Sequence, residues 1–278
     1  MTDYTTAVAD PDVDAVYIGL PNHAHHELAI AAAEAGKAVL SEKSLTATMG
    51  TAHALVDGVR DRVFFVEGLM YLAHPLYERV VEIIESGQLG TIRSVTGRYA
   101  ADIKAVVNPA GRGTIYNLGC YPASLLHLVM QTAFGDDAFA ARSMWAAGNR
   151  TADGTIGEAS LAVRFDNGVL ANLWSTDDYG MSHDFVVMGE RAVLRFETNP
   201  WLPLAGPNVL TVTGYDGAVD EVVVDDEHDA FFYQIRLVER CVAAGLTEAP
   251  RPSPRLDDSL AIMRLLTEWE TCCLSACG

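Results

Sequence analysis

The chain has 278 residues and a formal net charge of −18 at pH 7, from 37 acidic and 19 basic side chains. This negative charge argues against nucleic acids and anionic membranes as partners, because their phosphates would be repelled. With 50% hydrophobic residues the chain can bury a sizeable core, and its length favours two domains over one. The acidity aids solubility but indicates no particular substrate.

The cysteines form no recognisable framework. Their number is odd, their spacing is irregular, and no basic segment followed by an apolar one opens the chain as a secretory signal would. No apolar stretch approaches the roughly 20 residues that cross a bilayer. We expect free or buried thiols in a cytoplasmic protein, and no metal site, since neither a second cysteine pair nor a histidine cluster accompanies the C-terminal cysteines. The cysteines are Cys120, Cys241, Cys272, Cys273 and Cys277.

The first part of the chain alternates short apolar runs with segments of helical spacing. Each apolar run is stopped by proline, glycine or charged residues, as is typical of buried strands in a parallel sheet. This order predicts a partial doubly wound parallel sheet, a Rossmann remnant, over residues 1–90. The predicted strands cover residues 14–20, 37–41 and 62–67, and the predicted helices between them cover residues 23–35 and 46–60.

Residues 91–278 change to a two-residue alternation of apolar and polar side chains. The alternation is clearest between about Phe139 and Val224, which predicts a large open antiparallel sheet. We therefore predict an α/β domain followed by an α+β domain for substrate binding or dimerisation, with the last helix packing back on the first domain. Glycine-containing hairpin turns are predicted at residues 166–168 and 216–217, and closing helices at residues 229–244 and 257–272.

The stretch from Gly36 to Ser44 carries the strongest chemical signal. It is a short apolar strand that ends in Glu42 and Lys43, and ligands bind at this end of the strands in open α/β sheets. An amine held there can donate a proton to a substrate oxygen. The alternative interpretation is a solvated loop in which both charged side chains face water.

Five segments together resemble the glucose-fructose oxidoreductase, inositol dehydrogenase and MocA-like (Gfo/Idh/MocA) oxidoreductases, and they lean toward the dihydrodiol dehydrogenase-like branch. They follow the family pattern at its spacing over nearly the whole chain. The resemblance implies a nicotinamide-dependent oxidoreductase, using NAD or NADP, that acts on a small sugar, cyclitol or dihydrodiol-like alcohol or ketone. The segments are residues 12–18, 21–25, 35–43, 87–92 and 111–122.

The resemblance also implies roles for ten residues. Lys43 and Tyr121 correspond to an acid-base pair, with the pKa of the phenol lowered by the ammonium and with Glu42 orienting the lysine. The alternative interpretations are a surface lysine, a core tyrosine, a structural histidine and a helix-capping asparagine. On the nicotinamide side the family pattern matches Pro21, Asn22, His25 and Glu42. On the substrate side it matches Asp102, Lys104, Arg112 and Asn117.

The chain departs from the family pattern in three places. Ser44 replaces a proline, Asn117 replaces an aspartate, and no Gly-x-Gly-x-x-Gly turn for the dinucleotide phosphates follows a first strand. Compared with a full doubly wound domain, roughly 60 residues before Met1 are missing. The strand over residues 14–20 then becomes a sheet edge, for which a partner chain, a refolded N-terminus over residues 2–9 or a tight homodimer would provide cover.

Three hypotheses follow for the function. The first is a nicotinamide-dependent oxidoreductase in which Lys43 and Tyr121 handle the proton. The second is an enzyme without a cofactor that reuses the same pair for an elimination, an isomerisation or a cyclisation. The third is a non-catalytic partner of a complete homologue. Under the first hypothesis we also expect a homodimer or a higher homo-oligomer.

Overall fold

A small parallel sheet opens the fold. The structure is a computed structural model that describes residues 4–276. The first strands are β1 (Ala15–Ile18), β2 (Ala38–Glu42) and β3 (Phe65–Gly68), and the first helices are α1 (Tyr4–Ala9), α2 (His25–Glu34), α3 (Met49–Val59) and α4 (Pro75–Glu85). The strands lie in the order β1-β2-β3, and both pairs are parallel. The predicted parallel sheet with helices between its strands is confirmed.

The second sheet has eight strands. They are β4 (Ile92–Ala101), β5 (Arg142–Arg150), β6 (Ile156–Phe165), β7 (Leu170–Thr176), β8 (Met181–Gly189), β9 (Ala192–Phe196), β10 (Gly206–Gly214) and β11 (Val219–Asp226). Their order in the sheet is β11-β10-β9-β8-β4-β7-β6-β5. The large open sheet is confirmed, but a purely antiparallel sheet is wrong for one pair, because β4 and β7 run parallel. The long connection between these two strands contains helices and a hairpin, which allows the chain to re-enter the sheet in the same direction.

Four more helices complete the fold, of which the first, the second and the last pack on the large sheet and the third packs on the small sheet. They are α5 (Thr114–Asn117), α6 (Cys120–Phe134), α7 (Ala230–Ala243) and α8 (Leu256–Ala276). Every residue of α6 from Cys120 to Gln131 is buried, as expected of a helix that is apolar on all sides. Helix α8 packs against α3, α6 and β5 and therefore contacts both parts of the fold. In the part of the chain that the structure describes, no helix has the length and apolar character needed to span a membrane.

Glycines end elements at the positions where the sequence predicts turns. Gly36 has a φ of 74° at the end of α2, and Gly168 has a φ of 90° between β6 and β7. A side chain at such a φ is strained, whereas glycine adopts it without steric cost. The predicted helix end and the predicted hairpin are confirmed.

Strand β1 forms an edge of the small sheet. It pairs with β2 alone, and the side chain of Tyr17 is 60% exposed. Helix α1 packs against α2. A partner chain, a refolded N-terminus or a tight homodimer over this edge stays a prediction. Thr2, the first residue of the expected refolded N-terminus, lies outside the described residues.

The face of the large sheet opposite α6 carries apolar side chains in solvent. Trp145 on β5 is 62% exposed and Leu170 on β7 is 50% exposed. Aromatic and aliphatic groups on a flat sheet face are typical of interfaces between subunits. The homo-oligomer stays a prediction.

The cap of α7 gives a test of the fold. Oδ1 of Asp229 accepts a hydrogen bond from the backbone N–H of Phe232 at 2.9 Å. We expect Asp229→Ala to lower the free energy of unfolding by about 1 kcal/mol, because one N–H of the first turn loses its acceptor. Urea denaturation followed by circular dichroism measures the change. Asp225→Ala, at an exposed position of β11, is the control and should leave the midpoint nearly unchanged.

Candidate active site

A cleft opens where the small sheet ends. The segments after β1 and β2 form one side, and residues 103–117 lie across them. The cleft has a volume of about 260 Å³. A larger groove of about 600 Å³ runs beside β1 and α7, but neither Lys43 nor any other of the ten predicted site residues lines it. The smaller cleft is lined by Leu20, Pro21, Asn22, Lys43, Ser44, Ile103, Val106, Val107, Asn108, Gly111, Tyr116 and Asn117.

Lys43 follows β2 directly and reaches into the cleft. Its Nζ donates to the backbone oxygen of Asn117 at 2.5 Å and to Oδ1 of the same residue at 3.4 Å. Nζ also lies 5.0 Å from the centroid of the Tyr121 ring, within the range of a cation–π interaction. An ammonium has three N–H bonds. Two of them are donated to Asn117, and no further hydrogen bond from Nζ is found among residues 4–276, so one N–H is left for a ligand in the cleft.

Glu42 is turned away from the ammonium of Lys43. Its Oε1 accepts the hydroxyl of Tyr17 at 2.9 Å, and its Oε2 accepts the backbone N–H of Lys43 at 3.2 Å. Burial and then the Glu42 carboxylate raise the pKa of Tyr17 to about 12. Over the described residues no ion pair joins Glu42 to the Lys43 side chain. Glu42 therefore holds the backbone that carries Lys43, and it does not hold the amine itself.

Tyr121 presents its ring to Lys43 and directs its hydroxyl elsewhere. The hydroxyl donates to Sδ of Met70 at 3.9 Å, and the residue is only 7% exposed. The ring packs against Tyr99 and Trp201. Burial raises the pKa of the Tyr121 phenol well above its ordinary value, so the expected lowering by the ammonium is wrong. Desolvation of the phenolate outweighs the attraction of a cation that sits over the ring face.

Pro21 and Asn22 line the cleft, as expected for residues on the nicotinamide side. The amide nitrogen of Asn22 donates to the backbone oxygens of Gly111 at 3.2 Å and of Thr46 at 3.4 Å. Its Oδ1 is buried and has no hydrogen-bond partner among the described residues. The first turn of the small sheet thus offers an unused acceptor to the cleft.

His25 is fully buried beneath the cleft and does not line it. Its Nε2 lies 2.6 Å from the backbone oxygen of Leu20, and its Nδ1 lies 3.1 Å from that of Ser44. Burial lowers the pKa of His25. The imidazole links the turn after β1 to the segment after Lys43, a geometry that favours the structural interpretation of this histidine.

Of the four residues predicted on the substrate side, Asn117 lines the cleft, whereas Asp102, Lys104 and Arg112 do not. Asp102 is exposed. Nζ of Lys104 lies 2.9 Å from Oδ2 of Asp153, in the turn between β5 and β6. The lysine therefore ties the segment after β4 to this hairpin.

Arg112 binds a carboxylate of the protein itself. Its Nη2 lies 2.7 Å from Oε2 of Glu270 on α8, and its Nη1 donates to the backbone oxygen of Ala47 at 3.2 Å. Oε2 of Glu270 also accepts the hydroxyl of Tyr116 at 2.9 Å. Arg112 thus fastens residues 103–117 to α8 and to the small sheet, and its guanidinium is occupied.

Three polar residues near the cleft are absent from the sequence-based set. Oδ2 of Asp177 accepts a hydrogen bond from Nδ2 of Asn117 at 3.4 Å, and this aspartate is fully buried. Glu67 is buried on β3, and Cys120 lies below Asn117, where burial raises the pKa of its thiol to about 11. Asp177 follows an alternating strand directly, and Glu67 ends an apolar run. An acidic residue at a strand end was the one signal in the sequence that could have indicated Asp177 and Glu67.

No metal site accompanies the cleft. Among residues 4–276 no three histidine, cysteine or acidic side chains come close enough together to hold an ion. Cys120, Cys241, Cys272 and Cys273 form no disulfide among residues 4–276, and Cys277 lies outside the described residues.

Known proteins resemble both parts of the chain. Residues 1–65 match the oxidoreductase family with the NAD-binding Rossmann fold, and residues 77–195 match the GFO/IDH/MocA C-terminal domain. The chain belongs to the Gfo/Idh/MocA oxidoreductase family. The oxidoreductase ORF334 of Rhizobium meliloti is 31% identical over an alignment of 288 positions, which covers 96% of this chain and 83% of the relative.

Two further members of the Gfo/Idh/MocA family have named activities. D-xylose 1-dehydrogenase (NADP(+)) 2 of Haloferax volcanii is 31% identical over an alignment of 277 positions, which covers 95% of this chain and 79% of the relative. A 3-ketoreductase from Actinomadura kijaniata, solved with TDP-benzene and NADP, is 27% identical with a TM-score of 0.79, over 95% of this chain and 79% of that structure. These matches confirm the family resemblance predicted from the motifs. They also confirm NAD or NADP as the cofactor of the family.

The cleft of this family member fits the nicotinamide end of the cofactor. Oδ1 of Asn22 is a buried acceptor without a partner, and the hydrogen of a carboxamide would satisfy it. Gly111 leaves space beside this oxygen, since a Cβ on Gly111 would lie 3.1 Å from it. Among the described residues no Gly-x-Gly-x-x-Gly turn is present to hold the pyrophosphate.

Proposed function

We propose that this family member is an NAD- or NADP-dependent oxidoreductase that interconverts an alcohol and a ketone or aldehyde on a small sugar-like molecule. The observation that carries the proposal is the third N–H of Lys43, which is the one donor of the ammonium not bound to Asn117. A bound nicotinamide supplies or accepts the hydride. The protein's own residues then have to donate or accept a single proton at the substrate oxygen.

Lys43 donates that proton in the reduction and accepts it in the oxidation. When a carbonyl is reduced, its oxygen takes a proton from Nζ as the carbon receives the hydride, and the amine left behind recovers a proton from solvent. When an alcohol is oxidised, the neutral amine accepts the hydroxyl proton as the hydride leaves. The ring of Tyr121, with its centroid 5.0 Å from Nζ, makes a cation–π contact with the lysine and does not take the proton itself.

The walls of the cleft suit this chemistry. Ile103, Val106 and Val107 provide apolar surface against which the carbon atoms of a substrate can pack. The side chains of Asn108 and Asn117 provide amide groups that can bind hydroxyls. A small polyhydroxy compound with one carbinol or carbonyl carbon at Lys43 matches this mixture, which agrees with the names of the two relatives, a D-xylose 1-dehydrogenase and a 3-ketoreductase.

Titration with NADPH and with NADH, followed by cofactor fluorescence, tests the proposal directly. We expect saturable binding, and reduction of NADP or NAD in the presence of an aldopentose or a related polyol. Asn22→Leu should weaken this binding, because it removes the acceptor offered to the carboxamide. Absence of cofactor binding together with turnover of the same polyols would support the enzyme without a cofactor. Absence of both would support the non-catalytic partner.

A further inference from the structure

Asn117 needs a second residue to fix the orientation of its amide. Its Oδ1 faces the Lys43 ammonium at 3.4 Å, and its Nδ2 faces Oδ2 of Asp177 at 3.4 Å. If the amide were reversed, its N–H groups would meet the ammonium and its oxygen would meet the carboxylate. Both contacts would be repulsive, so the carboxylate of Asp177 permits only one orientation.

The setting of Asp177 supports a specific role for this carboxylate. The residue follows β7, is fully buried, and has one oxygen, Oδ1, without a hydrogen-bond partner among the described residues. Its backbone is also fixed, since its oxygen accepts from the N–H of Ile103 at 3.1 Å and its N–H donates to Gly157 at 3.2 Å. A buried carboxylate is unfavourable unless its charge is compensated. The Asp177 carboxylate is compensated first by the amide of Asn117, which it shares with Lys43, and then by the charge of Lys104.

We infer that Asp177 is a positioning residue for Lys43, acting through the side chain of Asn117. The carboxylate orients the amide, and the amide directs one N–H of the ammonium into the protein. The third N–H of Lys43 is then aimed at the cleft. This inference rests on the proposed function for its catalytic consequence, but the orientation of Lys43 can be measured without any substrate.

The reactivity of the lysines measures that orientation. The chain has three lysines, Lys37, Lys43 and Lys104, so reductive methylation with formaldehyde followed by peptide mass spectrometry resolves each one. Methylation needs a neutral amine with an accessible lone pair. We expect Asp177→Asn to speed the methylation of Lys43 roughly 3-fold, because it removes a nearby negative charge and the acceptor that fixes the amide. Lys37 is the internal reference, because its Nζ donates to the backbone oxygen of Asp10, whereas the charge of Lys104 interacts with Asp177 itself.

Two variants separate positioning from a general loss of charge. Asp178→Asn removes the same charge from the adjacent, exposed residue and should leave the methylation of Lys43 unchanged. The double variant Asn117→Asp with Asp177→Asn exchanges the two groups and places the carboxylate next to Lys43. We expect it to return the methylation rate to the wild-type value or below. Thermal unfolding of each variant checks that the fold is retained.

Turnover of an aldopentose or a related polyol, as in the cofactor experiment, supplies the second readout. We expect Asp177→Asn to lower kcat about 10-fold with little change in KM, and the exchanged double variant to recover much of the loss. Unchanged methylation of Lys43 and unchanged kcat in a folded Asp177→Asn variant would overturn the inference. If the wild-type protein turns over no polyol but the methylation rates behave as expected, the proposed function fails and the positioning role stands.

Discussion

We expect Lys43→Met to lower kcat by about 100-fold to 10,000-fold, the range that a general acid or base contributes. Methionine keeps most of the length of the side chain but has no proton to give. The affinity for NADPH or NADH should change little, because the cofactor acceptor in the cleft is Asn22, which is bound to the backbone of Gly111 and Thr46. Steady-state kinetics with the polyol and fluorescence titration with the cofactor measure the two effects separately.

Two variants serve as comparisons for the Lys43 experiment. Lys37→Met is the matched control, since Lys37 donates to the backbone oxygen of Asp10 at 2.9 Å, away from the cleft, and its loss should leave kcat intact. Tyr121→Phe keeps the aromatic ring under the ammonium and removes only the hydroxyl. We expect nearly normal turnover from it. A loss as large as that of Lys43→Met would instead show that the phenol is the acid, as the family resemblance implies.

Local patterns in the sequence were sufficient for the small sheet and for the position of Lys43. Short apolar runs identify β1, β2 and β3, and Gly36 marks the helix end, because these features depend on neighbours in the chain. The end of β2 then determines where Lys43 must lie, since ligands collect at the carboxyl ends of parallel strands. The direction of one strand pair, β4 with β7, depends on the path of a long connection and could not be predicted in this way.

The partners of the polar side chains could not be predicted. Arg112 binds Glu270, which is 158 residues further along the chain, because α8 returns to pack against both parts of the fold. Nothing in the sequence near Arg112 indicates that an acid occupies it. Tyr121 is similar, since its ring faces the lysine as expected while its hydroxyl direction is set by the packing around Met70. Contacts of this kind follow from tertiary packing and not from motif spacing.

Glu67 should make the stability of the protein depend on pH. The side chain is 3% exposed, and its Oε2 has no partner among the described residues, while Ser259 and the backbone of Leu45 bind the carboxyl. Burial raises its pKa from 4.5 to about 7, against the smaller lowering by those hydrogen bonds. The folded state therefore holds the proton more tightly than the unfolded state. Stability is greatest below pH 4.5 for this group and falls as the pH rises to about 7.

We expect Glu67→Gln to raise the free energy of unfolding by up to about 3 kcal/mol at pH 8.5 and to change it little at pH 5. Glutamine resembles the protonated acid, so the variant no longer has to bury a charge when the pH is high. Urea denaturation of the wild type and the variant at both pH values measures the difference. Glu85→Gln, at an exposed position of α4, is the control and should show no such dependence. An equal loss of stability at both pH values would mean that Glu67 is held as the carboxylate, and that its charge is compensated by the Lys43 ammonium nearby.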